Sequence, residues 1–306
     1  MNERRLVVVT NKNSTGAKNV ERSVLTPLRE ENISFDQFET PSPDTEANII
    51  AMQDFFRDGD RIISAAGDGT AMQVTNAVLR SKLHDAEIGF LPFGNFNDLA
   101  KSHKARDPVA LSRSSFTVEH APLSVNVNGE YWRDAPSYVT LGWTALAAEQ
   151  FGNGTSREAM QSSPEALKLG RSLLQLAESY FKNRHEMLPE FYTSDSPIVR
   201  RAVTDFIAIN SPRVGNIVRS SKNYYDSDHF GTAEVDVSRI LTNIPFGLRA
   251  ISGRTPATPV GATTLYFEKP ATVPIQSEGE FSFLEDVRTI EIEKDPKKVL
   301  HVLRQP

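Results

Sequence analysis

A short apolar run that ends in a glycine turn, with a helical segment directly after it, constrains the fold of this chain most. Residues 61–70 read Arg-Ile-Ile-Ser-Ala-Ala-Gly-Asp-Gly-Thr. The β-branched residues before Gly67-Asp68-Gly69 predict a buried strand, and Thr70 opens a segment whose apolar residues have helical spacing. Backbone N–H groups at such a helix start can bind an anion. The segment predicts an α/β domain with an anion site, although similar glycine turns occur in many α/β proteins.

A second glycine loop follows the next apolar run. Residues 89–99 read Gly-Phe-Leu-Pro-Phe-Gly-Asn-Phe-Asn-Asp-Leu. Ligands of open parallel sheets bind outside the carboxyl ends of the strands, so both loops are predicted to line one crevice. Asn97 and Asp98 are also good capping residues for the helix that follows, and capping alone explains one of them.

The region from residue 5 to about 105 alternates apolar runs with helical segments, as a parallel sheet with crossover helices does. One helix is predicted to start at Asp44 or Thr45 and to run to about Phe56. Another is predicted to start at Thr70. The predicted strands are Leu6–Thr10, Ile33–Phe38, Arg61–Ala65 and Ile88–Leu91.

After Pro108 the pattern becomes β-rich. Asn128-Gly129 predicts a tight hairpin, and an amphipathic helix is predicted over residues 163–183. We therefore expect an α/β domain over about residues 1–120 and a β-rich domain over about residues 121–285. The predicted strands here are Phe116–Val118, Leu123–Val127, Tyr131–Arg133, Ala202–Asn210, Thr232–Val237, Thr263–Glu268, Val273–Gln276, Phe281–Leu284 and Val287–Glu293.

Composition excludes several classes of function. The chain has 34 Lys and Arg against 39 Asp and Glu, a net charge of -5, which argues against a nucleic-acid partner. It has no cysteine, so disulfides, thiolate metal sites and thiol nucleophiles are excluded. The six histidines share no metal-ligand spacing. With no secretion signal and no run of about 18 apolar residues, we expect a soluble, cytoplasmic protein.

Three loops together resemble those of a known family. Residues 10–16 form a Thr-Asn-Lys-Asn-Ser-Thr-Gly loop, residues 67–70 a Gly-Asp-Gly-Thr loop, and residues 92–98 a Pro-x-Gly-x-x-Asn-Asp loop. This set resembles the diacylglycerol kinase catalytic domain family, which includes bacterial lipid kinases and the sphingosine and ceramide kinases. Further similarities are Gly142-Trp143, the strand Asp205–Asn210 and the turn Glu278-Gly279-Glu280.

The resemblance implies a fold and a set of site residues. The fold is an α/β nucleotide-binding domain, to which residues 286–306 return, and a β-rich sandwich domain. Glu280 would be the proton acceptor and Asp68 a second catalytic residue. Nucleotide would contact Asn11, Ser14, Gly16, Thr40, Ala66, Gly67, Asp68, Gly69, Thr70, Gly94, Asn95, Asn97 and Asp98.

The implied cofactors are ATP and magnesium. Bacterial members also carry a magnesium turn in the second domain, which Asp226 and Asp228 match only loosely because the second aspartate is displaced from Gly231. Carboxylate oxygens suit magnesium, but a solvated turn is the simpler interpretation.

The implied function is an ATP-dependent lipid kinase. It would transfer the γ-phosphoryl group to a lipid hydroxyl, with diacylglycerol as the leading acceptor and a role in phospholipid metabolism. A lipid substrate at the membrane surface requires peripheral membrane contact. The sequence does not fix the oligomeric state, and a homodimer is one option.

Four positions depart from the family pattern and keep two alternatives open. Ala66 replaces a glycine, Lys12 a proline, Asn95 a threonine and Glu278 an aspartate. One alternative is an enzyme like NAD kinase, whose related fold also uses a Gly-Asp-Gly loop. The other is a catalytically silent nucleotide- or lipid-binding protein.

Overall fold

The computed structural model describes residues 4–146, 188–201, 203–214, 218–220, 222–236 and 257–305. The chain forms two compact units. The first consists of Met1–Pro122 together with Pro296–Pro306, and the second of Leu123–Asp295. The helix predicted over residues 163–183 lies outside the described residues. In the part of the chain that the structure describes, no helix is long and apolar enough to cross a membrane.

The first unit contains a mainly parallel sheet. Its six described strands have the order β2-β1-β3-β4-β18-β5, and only β5 runs antiparallel to its neighbour. The predicted α/β class is confirmed. The strands are β1 (Leu6–Thr10), β2 (Asp36–Glu39), β3 (Arg61–Ala66), β4 (Glu87–Pro92), β5 (Thr117–His120) and β18 (Leu300–Leu303).

Helices cover both faces of this sheet. On one face, Ile49 and Val74 pack with strand residues such as Val7. On the other face, Val24 and Leu28 pack against the opposite side of the same strands. The helices are α1 (Ala17–Val20), which continues through a π-helical turn (Glu21–Leu25) into α2 (Thr26–Glu30), then α3 (Thr45–Phe55), α4 (Asp68–Arg80), α5 (Asp98–His103) and α6 (Pro108–Ser112).

Local capping fixes where α3 and α4 begin. The Asp44 side chain accepts a hydrogen bond from Ala47 N at 2.7 Å, so α3 starts where its capping residue predicts. Helix α4 starts at Asp68, two residues before the predicted Thr70, because Gly67 itself is the capping residue. The glycine turn therefore belongs to the first turn of a 13-residue helix.

Two segments lie near the boundaries of the units. The strand predicted at Phe116–Val118, within the residues expected for the α/β domain, is β5, which pairs with β18 in the first unit's sheet. Residues 286–295, expected to return with the tail, belong to the second unit because they continue a long strand; only Pro296–Pro306 belongs to the first.

The second unit is an antiparallel β-domain. Its described strands form a ten-stranded sheet along the path β15-β14-β11-β8-β16-β17-β6-β7, with β9 and β10 attached to β16, and a separate β12-β13 pair. The strands are β6 (Leu123–Val127), β7 (Glu130–Ala135), β8 (Tyr138–Gly142), β9 (Phe191–Thr193), β10 (Ser196–Arg200), β11 (Val203–Ile209), β12 (Arg213–Val214), β13 (Val218–Arg219), β14 (Phe230–Asp236), β15 (Thr258–Val260), β16 (Ala262–Ser277) and β17 (Glu280–Lys294).

Two long strands organise this sheet. Pairs of shorter strands were predicted, but β16 and β17 run continuously through register shifts near residues 266–273. Such irregularities bend a strand and change its twist. One half of β16 consequently pairs with β9 and the other half with β8. Eighteen buried apolar side chains form the core beneath these strands, among the residues that the structure describes.

Turn chemistry fixes two of the hairpins in this sheet. Asn128 and Gly129 have φ of 53° and 80°, the left-handed pair that an Asn-Gly hairpin requires. Glu278 and Gly279 have φ of 51° and 86° and connect β16 to β17. A glutamate in this conformation is strained, and the strain persists only where other contacts of the residue compensate for it.

Candidate functional site

The loop after β1 folds back on itself and packs against the loop after β4. Ser14 N donates to Asn11 O at 3.0 Å, and Asn13 N to the Asn11 side-chain oxygen at 2.8 Å. Gly16 N donates to Phe93 O at 2.8 Å. A Cβ at Gly16 would lie 2.8 Å from that same oxygen, so only glycine permits this approach.

The two glycine loops touch each other through their backbones. A Cβ on Gly94 would lie 2.5 Å from Gly67 Cα, and a Cβ on Gly67 would lie 3.2 Å from Gly94 Cα. The predicted convergence of the loops after β3 and β4 is therefore a direct contact. It follows from the parallel pairing of the two strands, which ends at Ala66 opposite Pro92.

Asp68 joins the first turn of α4 to the first turn of α5. Its carboxylate accepts hydrogen bonds from the backbone N–H groups of Asn97, Asp98 and Leu99, the last at 3.3 Å. Burial, together with the nearby Asp98 carboxylate, raises the pKa of Asp68 above its ordinary value, and the backbone donors oppose that rise. In this structure Asp68 orders neighbouring backbone amides.

Asn97 stabilises its own loop instead of capping α5. It has a left-handed backbone with φ of 54° and makes no capping hydrogen bond. Its side-chain oxygen accepts from Gly94 N at 2.6 Å, and its amide nitrogen donates to Gly94 O at 2.8 Å. Asn97 therefore occupies the capping position of α5, as expected, but its side chain fastens the loop and does not bond the helix amides.

Side-chain hydrogen bonds tie the first loop to the other two. Asn11 Nδ2 donates to Thr70 Oγ1 at 3.0 Å, and Thr15 Oγ1 donates to Asn95 Oδ1 at 2.7 Å. Thr40, directly after β2, donates its backbone N–H to Thr10 O at 3.0 Å and is buried. All thirteen residues expected to contact nucleotide therefore lie in the segments at this edge of the sheet.

This edge presents an arrangement suited to phosphate. The amino end of α4 carries backbone N–H groups and the positive end of the helix dipole. Gly67 and Gly69, on either side of Asp68, add no side chain at that end. Interlocked loops hold these donors in place before a ligand arrives, which lowers the cost of binding.

Glu280 lies in the second unit, at the first position of β17. It pairs with Ser277 across the two-residue turn. Glu278 holds that turn, since its Oε1 accepts hydrogen bonds from Ser137 N and from Tyr138 N, the latter at 2.9 Å. Glu278 is 1% exposed. Glu278, the residue expected to match an aspartate of the family, thus fastens the turn before Glu280 to the start of β8.

Asp226 and Asp228 do not form a metal cage. Both are exposed, and Asp228 contacts the neighbouring His229 ring. The carbonyl oxygens of this turn instead accept hydrogen bonds from Lys294 Nζ, one from Tyr224 and one, at 2.6 Å, from Ser227. The residues present do not fit magnesium at this turn, because a buried ammonium group occupies two of its carbonyl oxygens and both aspartates are exposed to solvent.

Two further buried titratable groups lie outside the loops. Burial raises the pKa of Asp205 to about 7, although Thr144 donates hydrogen bonds to it, at 2.6 Å from its backbone nitrogen. Burial lowers the pKa of His103 well below its ordinary value, and His120, 3.3 Å away, and Arg304 act in the same direction. Both groups favour the uncharged form in the folded chain.

Sequence reasoning missed two residues that support the candidate site and one that holds the turn at Asp226 and Asp228. Thr15 contacts Asn95, Phe93 O accepts from Gly16, and Lys294 binds the second-unit turn. Thr15 lies between two residues that were identified, so the loop motif itself was the available signal. Phe93 acts through its backbone and Lys294 over a long sequence separation, and no local pattern indicates either.

Comparisons with known proteins agree with this geometry. Residues 5–121 match the family model of the diacylglycerol kinase catalytic domain. No curated protein matches the chain.

Three solved structures from Bacillus anthracis str. Sterne are similar over the whole chain. Two are described as a candidate diacylglycerol kinase, at 14% identity and TM-scores of 0.68 and 0.69, covering 100% of this chain and 99% of theirs. One is described as a diacylglycerol kinase, at 15% identity and a TM-score of 0.67, covering 99% and 97%. The expected resemblance to the diacylglycerol kinase catalytic domain family is thereby confirmed, by the family model over residues 5–121 and by the fold over the whole chain.

Proposed function

We propose that this protein transfers the γ-phosphoryl group of ATP to a hydroxyl group of a lipid, with diacylglycerol as the first acceptor to test. The observation that carries the proposal is the backbone contact between Gly67 and Gly94, beside the amino end of α4. Phosphoryl transfer depends on positioning and charge stabilisation more than on covalent chemistry, and preorganised amides supply both.

The acceptor side of the proposal rests on Glu280. A hydroxyl nucleophile needs a carboxylate within hydrogen-bond reach to accept its proton. Glu280 directly follows a turn that Glu278 fastens through two buried backbone amides. Its position on that turn, together with the resemblance to the Asp-Gly-Glu turn of the family, supports Glu280 as the proton acceptor.

In this proposal magnesium binds together with ATP. Among the described residues, no group of three or more His, Asp or Glu side chains converges to hold a metal ion. The Asp68 carboxylate accepts three backbone amides already. We propose that magnesium is held mainly by the ATP phosphates, where it would neutralise negative charge.

A lipid acceptor also requires contact with a membrane surface. We propose that this contact is peripheral and reversible, and that the protein acts on the cytoplasmic side of the membrane. Co-sedimentation with vesicles that contain diacylglycerol should increase with lipid concentration. Absence of the protein from every vesicle pellet would contradict this part of the proposal.

The main experiment follows labelled γ-phosphate from ATP into a total lipid extract in mixed micelles with magnesium. Wild-type protein is compared with Glu280→Gln and with Asp68→Ala. Glu285→Gln, an exposed carboxylate on the same strand, is the control for the first variant. Asp54→Ala, exposed on α3, is the control for the second.

A labelled lipid that disappears with both site variants and persists with both controls would support the proposal and identify the acceptor by chromatography. In a parallel reaction that contains NAD, transfer of label to NAD and not to lipid would contradict the lipid kinase. ATP binding without transfer to either acceptor would contradict catalysis and support a silent nucleotide-binding protein.

A further inference from the structure

In the part of the second unit that the structure describes, one lysine is buried, and its ammonium group lies inside a turn. Lys294 is 8% exposed, although lysine is almost never buried without partners. Its Nζ donates hydrogen bonds to Tyr224 O and to Ser227 O, the latter at 2.6 Å. Two carbonyl oxygens of one turn thus bind the ammonium group of Lys294, the last residue of β17.

Burial disfavours the charge of this ammonium group and lowers the pKa of Lys294 to about 8, and two nearby carboxylates oppose that shift. Asp226 and Asp228 lie in the same turn, and both attract Lys294 electrostatically. Both carboxylates are exposed to solvent, where they complement the lysine without being buried themselves. Two turn carbonyls and two peripheral carboxylates thus surround one buried ammonium group. Such oxygen atoms are also the ligands that divalent cations prefer.

Lys294 connects this turn to two strands. Its backbone N–H donates to Gly261 O at 3.4 Å, at the start of β16. Tyr224 N donates to Asn210 O at 3.1 Å, at the end of β11. A cation inside the turn therefore fastens the chain between β11 and β14 to the far end of the β16–β17 pair.

A divalent ion held by Asp226 and Asp228 would lie beside this ammonium group, and the two cations would repel each other. The lysine also occupies the Tyr224 and Ser227 carbonyls, so the ion could not complete its shell with them without displacing it. We infer that Lys294 is the resident cation of the Tyr224–Asp228 turn, and that this turn binds no divalent metal ion. The inference does not depend on the proposed kinase function.

The experiment measures thermal unfolding of the second unit without nucleotide. Both tryptophans of the chain, Trp132 and Trp143, lie in that unit, so their fluorescence reports on it. The proteins are wild type, Lys294→Met, and the double variant Asp226→Asn with Asp228→Asn. Lys269→Met, an exposed lysine on β16, is the matched control. Each is measured in EDTA and in millimolar Mg²⁺ or Ca²⁺.

We expect the wild-type midpoint to be equal in EDTA and in divalent ion. Lys294→Met leaves Ser227 O without its donor, so we expect a midpoint lower by on the order of 5 °C, with Lys269→Met unchanged. A wild-type midpoint that rises with Mg²⁺ or Ca²⁺, and no longer rises in the double aspartate variant, would overturn the inference. So would a Lys294→Met midpoint within 1 °C of the control, an interval about equal to the measurement error.

Discussion

Replacement of Gly94 by alanine tests whether the contact between the two glycine loops is as close as the structure shows. The new Cβ would lie 2.5 Å from Gly67 Cα, 3.1 Å from Asn97 Oδ1 and 3.5 Å from Asp68 N. Ordinary carbon contacts begin near 3.5 Å, so the backbone would have to move by about 1 Å. Neither close neighbour is the end of a flexible side chain, since Asn97 is itself held by Gly94.

The cost can be estimated from overpacking. Forcing extra atoms into a tight contact destabilises the folded state by about 1–3 kcal/mol. A Gly→Ala change also makes the unfolded chain stiffer, which offsets roughly 0.4–1 kcal/mol of that loss. We expect Gly94→Ala to lose about 1–2 kcal/mol of stability in the first unit. ATP affinity should also fall, because the displaced loop carries the amides beside α4.

The first unit contains no tryptophan, so hydrogen exchange of peptides from residues 61–103 is the suitable assay, with calorimetric titration of ATP beside it. Gly261→Ala is the control, because its Cβ would meet only Asp228 O, at an ordinary 3.7 Å. Exchange rates and ATP affinity for Gly94→Ala that equal those of wild type and control would refute the close contact.

Three other predictions concern buried carboxylates and a buried imidazole. Glu278→Ala should destabilise the second unit by about 2–4 kcal/mol, because two buried backbone amides lose their acceptor. Glu278→Gln should destabilise it by less than half as much, and urea unfolding followed by tryptophan fluorescence measures both variants. The pKa of Asp205 is raised to about 7, so the folded state binds the extra proton between about pH 4 and 7, and stability falls with rising pH. Asp205→Asn should remove that slope and stabilise the second unit at pH 8 by more than about 1 kcal/mol, in the same assay. His103 has a lowered pKa, so the unfolded state binds the proton first below about pH 6.5, and the first unit should lose up to about 1.4 kcal/mol per pH unit on acidification. His103→Gln should flatten that slope in hydrogen-exchange measurements; equal slopes in variant and wild type would contradict this assignment.

The sequence predicted correctly those strands and turns whose structure depends mainly on neighbouring residues. Strands Leu6–Thr10 and Leu123–Val127 have the predicted bounds, and Asn128-Gly129 adopts the expected turn. Strand β8 was missed, although all five of its residues are buried. No alternation marks a strand that is buried on both faces, and its role becomes visible only through its pairing with β11 and β16.

Long-range pairing explains the remaining differences in the fold. Strand β18 inserts between β4 and β5, which lie about 180 or more residues earlier in the sequence. Strands β16 and β17 are continuous because each pairs with different neighbours along its length. Such pairings depend on which segments meet in three dimensions, and local patterns do not encode that choice.

The candidate site shows the same division between local and long-range information. The glycine loops were identified because close backbone approach requires glycine, a constraint visible at Gly67 and Gly94. The role of Lys294 was not identified, because an isolated lysine late in the chain resembles any surface lysine. Its function depends on Tyr224, 70 residues away in sequence.

The departures from the family pattern do not break the contacts among the loops. Ala66 is the last residue of β3, and its backbone oxygen accepts from Phe93 N at 3.2 Å, so its methyl group belongs to the strand and not to the turn that starts at Gly67. Asn95 accepts the Thr15 hydroxyl, so the substituted residue joins the first and third loops. A silent homologue would therefore need a defect other than the loss of these contacts. ATP binding and phosphoryl transfer must accordingly be measured separately, because intact loops support the first without ensuring the second.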